Sequence, residues 1–382
     1  MKQHNRKIIY ILGFLYSVPV ALTSYINSSF LENFFSTNYI SIIYIMASLL
    51  TILGMIKMPK MLSYFGNRET ATILSLSIFS SFLVLALSNN PEFIIGAFVV
   101  NFIAVNLIIT CLDVFIEDFS KINAIGSFRG FYLMIINLAW IVAQLISSTI
   151  ISRSSFAGIY LISALIMLVV SIILIFSLRN FADPKYKQMS FVNGVKFFTK
   201  NINLLKIYLI NLILKFFFAW MIIYTPIYLH EYLKFDWSQI GIIFTIMLVP
   251  FLGQFSLGKL SDKIGEKKML KLGFIISAVS TLCIPLITTN TLFLMAGILF
   301  MTRVGAAMIE VMSENYFFKS VPEENVEALS FFRNTAPISF IIAPLLAIPV
   351  FFFIPSSQYI FYVLGTIMLA GFFITLRLKD VR

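Results

Sequence analysis

The sequence predicts an all-α integral membrane protein with twelve transmembrane helices in two six-helix bundles related by pseudo-two-fold symmetry. Three observations predict it: a composition too apolar for a water-facing surface, twelve apolar stretches of spanning length, and a one-sided distribution of Lys and Arg.

The 382 residues are 59% hydrophobic and 12% charged, with a mean hydropathy of +0.94. A soluble domain is about 45–50% apolar and about 25% charged. This chain cannot coat itself in polar groups, so lipid is the solvent for most of its surface. The net charge of +11 would suggest a nucleic-acid partner on a soluble protein. Here the placement of the basic residues accounts for it and no nucleic acid is implied. Cys111 and Cys283 lie inside apolar runs, outside any CxxC or Cys/His cluster, and read as small buried side chains. With His4 and His230 the only histidines, no metal site and no cofactor are expected.

A spanning helix needs about 20 mostly apolar residues. Such stretches run over 8–30, 38–57, 70–88, 93–115, 130–152 and 157–178, then 206–229, 238–257, 270–288, 292–312, 333–354 and 358–377. The first is too long, and lacks a clear small-x-small site, for a cleavable signal peptide. With the N-terminus placed inside, 24 of the 28 Lys and Arg fall on the inner connections and termini. The outer loops hold only Arg153 and Lys234, and Lys215 and Arg303 lie within helices. That asymmetry places both termini in the cytoplasm of a multi-pass protein of the plasma or inner membrane. The longest connection, 179–205, is basic, is broken at Asp183-Pro184, and reads as the linker between bundles at 1–178 and 206–382. Its stretch from Phe191 to Lys200 reads equally as a short amphipathic helix on the inner leaflet or as a solvated linker.

The halves resemble each other. A shift of 199 pairs Tyr25 with Tyr224, Glu32 with Glu231, Gly54 with Gly253, Lys60 with Lys259, Gly66 with Gly265 and Arg68 with Lys267. A shift of 197 pairs Asn106 with Arg303, Asp113 with Glu310, Glu117 with Glu314 and Phe119 with Tyr316. The same features in the same order point to duplication, and parallel repeats about an axis normal to the membrane are a known transporter architecture.

The loop after the eighth stretch reads Gly258-Lys259-Leu260-Ser261-Asp262-Lys263-Ile264-Gly265-Glu266-Lys267-Lys268. This resembles the loop signature of the major facilitator superfamily, G-x-L-x-D-[RK]-x-G-x-[RK]-[RK], at every specified position. The first-half copy, Pro59 to Glu69, keeps Gly66 and Arg68 but has Pro59 for the first glycine and Ser63 for the aspartate. The resemblance implies alternating access by two bundles, with helices one, four, seven and ten lining a central cavity. Gly258 and Gly265 would permit a tight turn and close helix approach. Asp262 would accept from a helix N-terminus, by the resemblance that of helix five near Phe128–Gly130. Lys263, Lys267 and Lys268 could pair with Glu310 and Glu314 in a cytoplasmic gate, or simply obey the positive-inside rule. The Gly- and Pro-rich helix-five signature common in the antiporter branch is missing from Leu138–Gln144.

Charge at membrane depth marks candidate function. Lys215 and Arg303 each lie roughly 15–18 Å into a helix, near the midplane, on helices seven and ten. Snorkelling of Lys215 toward the interface, and a structural pairing of Arg303 with Glu310 two turns on, are the plainer readings. Helix four carries Asn106, Thr110, Asp113 and Glu117 on one face. Asp113 and Glu310 could bind a coupling proton or serve the gate. Trp220 and Tyr224 could stack on a substrate. The sequence therefore reads as a secondary transporter of a small solute, with an organic anion or carboxylate-bearing metabolite as its substrate, working as a monomer. The alternatives are a drug or metabolite efflux antiporter and a non-transporting sensor or lipid translocase. An intramembrane enzyme is disfavoured, because no HxxxD, HExxH, paired-aspartate or Gly-rich phosphate loop is present.

Overall fold

A computed structural model describes residues 2–119, 125–178, 181, 183, 196, 198–287, 291–321, 331–353 and 356–379. The chain divides into two compact units, Met1–Gln188 and Met189–Arg382. The first contains α1 (Lys2–Ser24), α2 (Asn27–Glu32), α3 (Thr37–Phe65), α4 (Asn67–Leu87), α5 (Pro91–Phe119) and α6 (Ile125–Ser177). The second contains α7 (Ile202–Ile227), α8 (Trp237–Leu248), α9 (Gln254–Ile264), α10 (Glu266–Cys283), α11 (Leu292–Ser320), α12 (Thr335–Phe353) and α13 (Ile360–Leu376).

Among the described residues ten helices are long and apolar enough to cross a membrane, and two shorter apolar helices cover Met134–Ser147 and Trp237–Gly253. Those two correspond to the fifth and eighth stretches expected from sequence. The eighth was expected as one helix over 238–257 and is instead three pieces. Pro250 lacks an amide hydrogen and its ring crowds the preceding turn. The helix accordingly tightens into a 3-10 turn over Val249–Gly253 between α8 and α9. The fifth and sixth, expected as separate helices, follow each other within α6 with a single non-helical residue, Ser155, at φ 72 and ψ 179.

The same four helix pairings recur inside each unit. In the first, α1 packs on α6, α4 on α6, α4 on α5, and α3 on α5. In the second, α7 packs on α12, α10 on α13, α10 on α11, and α8 on α11. In the first unit, polar side chains pin these crossings: Gln144 donates to the Ala21 carbonyl at 2.7 Å, and Ser171 to Ser75 Oγ at 2.8 Å. In the second, Asn211 donates to Thr335 Oγ1 at 2.8 Å. Gly66 and Gly265, paired by the sequence shift, each stand alone between two helices at φ 85 and φ 93. Both reverse the chain in a backbone region open to glycine.

The α10–α11 crossing is the tightest. A Cβ on Gly305 would stand 2.4 Å from the Gly273 carbonyl oxygen and 2.6 Å from the Ser277 nitrogen, so the two backbones touch. Small residues permit such approach where lipid offers no hydrophobic gain for burying larger ones. Gly297, on the same helix, faces open space. Gly305→Ala is expected to cost about 1–3 kcal/mol or more by overpacking. Gly297→Ala is expected to be neutral or stabilising by up to ~1 kcal/mol through helix propensity. Thermal unfolding of the purified protein in mild detergent measures the difference; equal midpoints for the two variants would contradict the close crossing.

Candidate functional site

The polar cluster of the second unit is built on α7, α9 and α11. Lys215 lies in the apolar interior of α7, and its Nζ reaches Glu310 Oε1 on α11 at 2.8 Å. Gln254, the first residue of α9, donates through Nε2 to Glu310 Oε2 at 3.0 Å. Each carboxylate oxygen thus has its own donor from a different helix. Both charged side chains retain 24% exposure, so the pair is strongly but not wholly desolvated.

Arg303 is 1% exposed, among the most deeply buried large side chains described. Its guanidinium lies 5.0 Å from the Phe217 ring centre and 5.4 Å from that of Phe218. Lys215 Nζ lies 5.3 Å from the same Phe218 ring. A ring face is electron-rich, so Phe218 supports both cations. The sequence offered Arg303 as the structural partner of Glu310. Position 303 lies two turns from 310, roughly 10 Å along the axis, whereas Lys215 reaches Glu310 directly from the neighbouring helix.

Trp220 and Tyr224 continue along α7 as an aromatic row, with ring centres of Phe216 and Trp220 5.4 Å apart and of Trp220 and Tyr224 5.3 Å apart. Both are buried, and the Trp220 indole N–H has no acceptor among the described residues. Asn106 and Asp113 belong to α5 of the other unit. Asn106 turns back on its own helix, donating to the Phe102 carbonyl at 2.8 Å, and Asp113 is half-buried.

In the loop signature, Gly265 makes the turn, but Gly258 lies within α9, where an added methyl would meet only Val311 Cγ1 at 4.0 Å. The expectation that Gly258 serves a tight turn or close approach is therefore corrected. Asp262 and Lys263, and the Phe128–Gly130 region assigned as the target of Asp262, fall on side chains outside the described set. Lys267 is half-buried, Lys268 exposed and Glu314 half-buried. The ion pair found at this end is a different one, Lys319 Nζ to Glu266 Oε1 at 2.5 Å, joining the last turn of α11 to the first turn of α10. Each charge also suits its helix terminus, acid at the start and base at the end. In the first unit, Asp183 caps α4 by accepting from the Asn67 amide at 2.7 Å.

The sequence reading missed Gln254, Phe217, Phe218, Glu266 with Lys319, and the cap by Asp183. Gln254 was detectable as an uncharged polar group inside an apolar stretch. Two phenylalanines among 41 carry no such signal.

The model of the Major Facilitator Superfamily matches residues 9–248 and 210–382. The chain belongs to the Major Facilitator Superfamily. It is a multi-pass membrane transporter of that family. Curated protein sequences give no match. Solved structures do: 307 chains match in fold. One is a crystal structure of a bacterial homolog of the human lysosomal transporter Spinster, in an inward-facing, unoccupied conformation. It is 12% identical, with a TM-score of 0.74 over 98% of this chain and 95% of that one. At that identity the likeness is one of fold.

The cluster's energetics are testable within this superfamily member. Removing one partner of a desolvated pair strands the other charge, at about 2–4 kcal/mol, while removing both does not. Lys215→Met and Glu310→Gln are each expected to lower the thermal midpoint in detergent, and the double variant to recover part of the loss. Simply additive losses would show that the two side chains do not interact.

Proposed function

We propose that this transporter moves a small organic anion, or a zwitterion held through its carboxylate, together with a proton carried on Glu310. The observation that carries the reading is the Lys215–Glu310 contact at 2.8 Å. Glu310 occupies the ammonium that a substrate carboxylate would need. Protonation of Glu310 removes its charge and frees Lys215. The substrate carboxylate then replaces Glu310 on Lys215, and its departure, together with release of the proton from Glu310 on the same side, restores the internal pair. Arg303 stays protonated throughout, and from its place on the Phe218 ring keeps the surroundings favourable to an anion. Trp220 supplies an indole donor and Tyr224 a stacking face farther along α7.

The surrounding architecture in this proposal is twelve spans in two bundles, 1–178 and 206–382, joined by a cytoplasmic linker at 179–205 and acting as a monomer. In this proposal Asp262, Lys263, Gly265, Lys267, Lys268 and Glu314 form the cytoplasmic gate. With both termini inside, single cysteines at 234 and 267, in a background lacking Cys111 and Cys283, should be labelled from opposite sides of the membrane. Labelling of both from the same side would contradict the span between them, and labelling of 234 from inside with 267 from outside would reverse the topology.

Proteoliposome uptake of a labelled carboxylate panel, with and without an imposed pH gradient, tests the coupling. Wild-type protein should accumulate one class of carboxylate under the gradient. Glu310→Gln should retain solute exchange but lose the response to the gradient. Lys215→Met should lose affinity about tenfold or more, the scale of one charge-assisted contact. Wild-type affinity and gradient response in both variants would refute the proposal.

A further inference from the structure

The first unit has a groove on its apolar face that the transport reading does not use. It lies between α4 and α5 and has a volume of about 610 Å³. Ile73, Leu76 and Val84 form one wall, and Phe93, Gly96 and Val100 the other. On α4 it extends from residue 73 to residue 84, roughly 16 Å at 1.5 Å per residue. On α5 it extends from 92 to 100, roughly 12 Å. One end opens where α4 finishes and α5 begins, so the groove runs from one membrane interface to about the bilayer midplane, the depth of one leaflet.

Its chemistry suits hydrocarbon. Three serines line it, and all are satisfied inside the protein. Ser77 donates to the Ile73 carbonyl at 2.9 Å, Ser80 to the Leu76 carbonyl at 2.9 Å, and Ser81 to the Ile78 carbonyl at 2.8 Å while accepting from Asn101 at 2.9 Å. An acyl chain would therefore strand no polar group. Gly96 forms part of the wall with nothing within 4 Å of the place a Cβ would occupy, and so leaves room for a chain. Only the interfacial end is charged. Glu92 stands there in the first turn of α5, exposed, its carboxylate without an ion-pair partner among the described residues. A carboxylate at headgroup level repels a purely anionic headgroup and attracts an ammonium.

We propose that this groove is a binding site for one glycerophospholipid with a primary-amine headgroup, its acyl chain lying between α4 and α5 and its ammonium against Glu92. Depth, internal satisfaction of the hydroxyls and the single interfacial carboxylate each favour this occupant over a helix from a second copy. Such a helix would need a contact running across the whole bilayer.

The test uses the full chain reconstituted in nanodiscs of equimolar phosphatidylethanolamine and phosphatidylglycerol, then released into mild detergent. Native mass spectrometry counts the retained lipid. Wild-type protein should keep one phosphatidylethanolamine in preference to phosphatidylglycerol. Gly96→Leu fills the groove without backbone conflict, and Ser80→Leu fills it from the opposite wall. Either should reduce retention about tenfold, with an unchanged thermal midpoint. Glu92→Gln should keep a lipid but lose the headgroup preference. Undiminished retention in both filling variants, or equal retention of the two lipids by wild type, would overturn the site in favour of freely exchanging bulk lipid. A wild-type dimer that dissociates on Gly96→Leu would overturn it in favour of a second copy.

Discussion

Hydrocarbon offers no hydrogen bonds, and this constraint governs the fold. Every backbone amide and carbonyl within the bilayer must find its partner inside the chain, which leaves the helix as the local solution for a protein of this composition. Side-chain hydroxyls obey the same rule. Thr51, Thr70, Thr72 and Thr375 each donate to the carbonyl four residues back on their own helix. Asparagine and glutamine carry two donors and an acceptor, too many for their own turn, so several of them reach a neighbouring helix. Gln144 ties α6 to α1, Asn101 ties α5 to α4, and Asn211 ties α7 to α12. Polar residues thereby fix which helices are neighbours, and glycines fix how closely they approach.

The same constraint explains what could be read from the sequence. Apolar length is a bulk property of a chain in lipid, so an all-helical fold with many spans was legible, and among the described residues ten helices have spanning length. Ends and breaks were less so. Pro250 was visible, yet whether a proline kinks a helix, tightens it into a 3-10 turn or ends it depends on what neighbouring helices supply to the freed carbonyls. Pro344 and Pro349 remain inside α12, whereas Pro250 divides α8 from α9. Ser155 gave no warning at all. A positive φ is expected of glycine, yet Ser155 takes it at the kink inside α6.

At the site, sequence found the charges but not their pairing. Lys215, Arg303 and Glu310 stand out because ionisable groups in an apolar run are costly. Pairing depends on rotation and translation of one helix against another, and a shift of one residue turns a side chain by about 100°. Offsets within α11 suggested Arg303 for Glu310; the packing of α7 against α11 supplied Lys215. Gln254 joins them because the 3-10 turn beside it sets the start of α9. That local irregularity, caused by Pro250, helps position the second donor to Glu310.

The sequence shifts of 199 and 197 make the two units comparable position by position, and the comparison shows where they differ. The 199-residue shift places Tyr16 opposite Lys215, and the 197-residue shift places Asn106 opposite Arg303. Tyr16 donates to the Val105 carbonyl at 2.7 Å, and Asn106 to the Phe102 carbonyl at 2.8 Å. Both are neutral groups satisfied by backbone, an arrangement that needs no other side chain and responds to no proton. Their counterparts are cations: Lys215 depends on a carboxylate from another helix, and Arg303 lies over aromatic faces. Asn67 and Glu266 repeat the pattern at the buried first turns of α4 and α10. The Asn67 side chain donates to the Cys111 carbonyl at 3.0 Å, whereas Glu266 is paired through its side chain with Lys319. A neutral, backbone-satisfied position is locked by geometry alone. A charge paired across helices changes its bonding when either partner titrates or a competing ion arrives. The second unit therefore holds charges paired across helices where the first holds neutral side chains satisfied by backbone, and the same helix pairings recur in both.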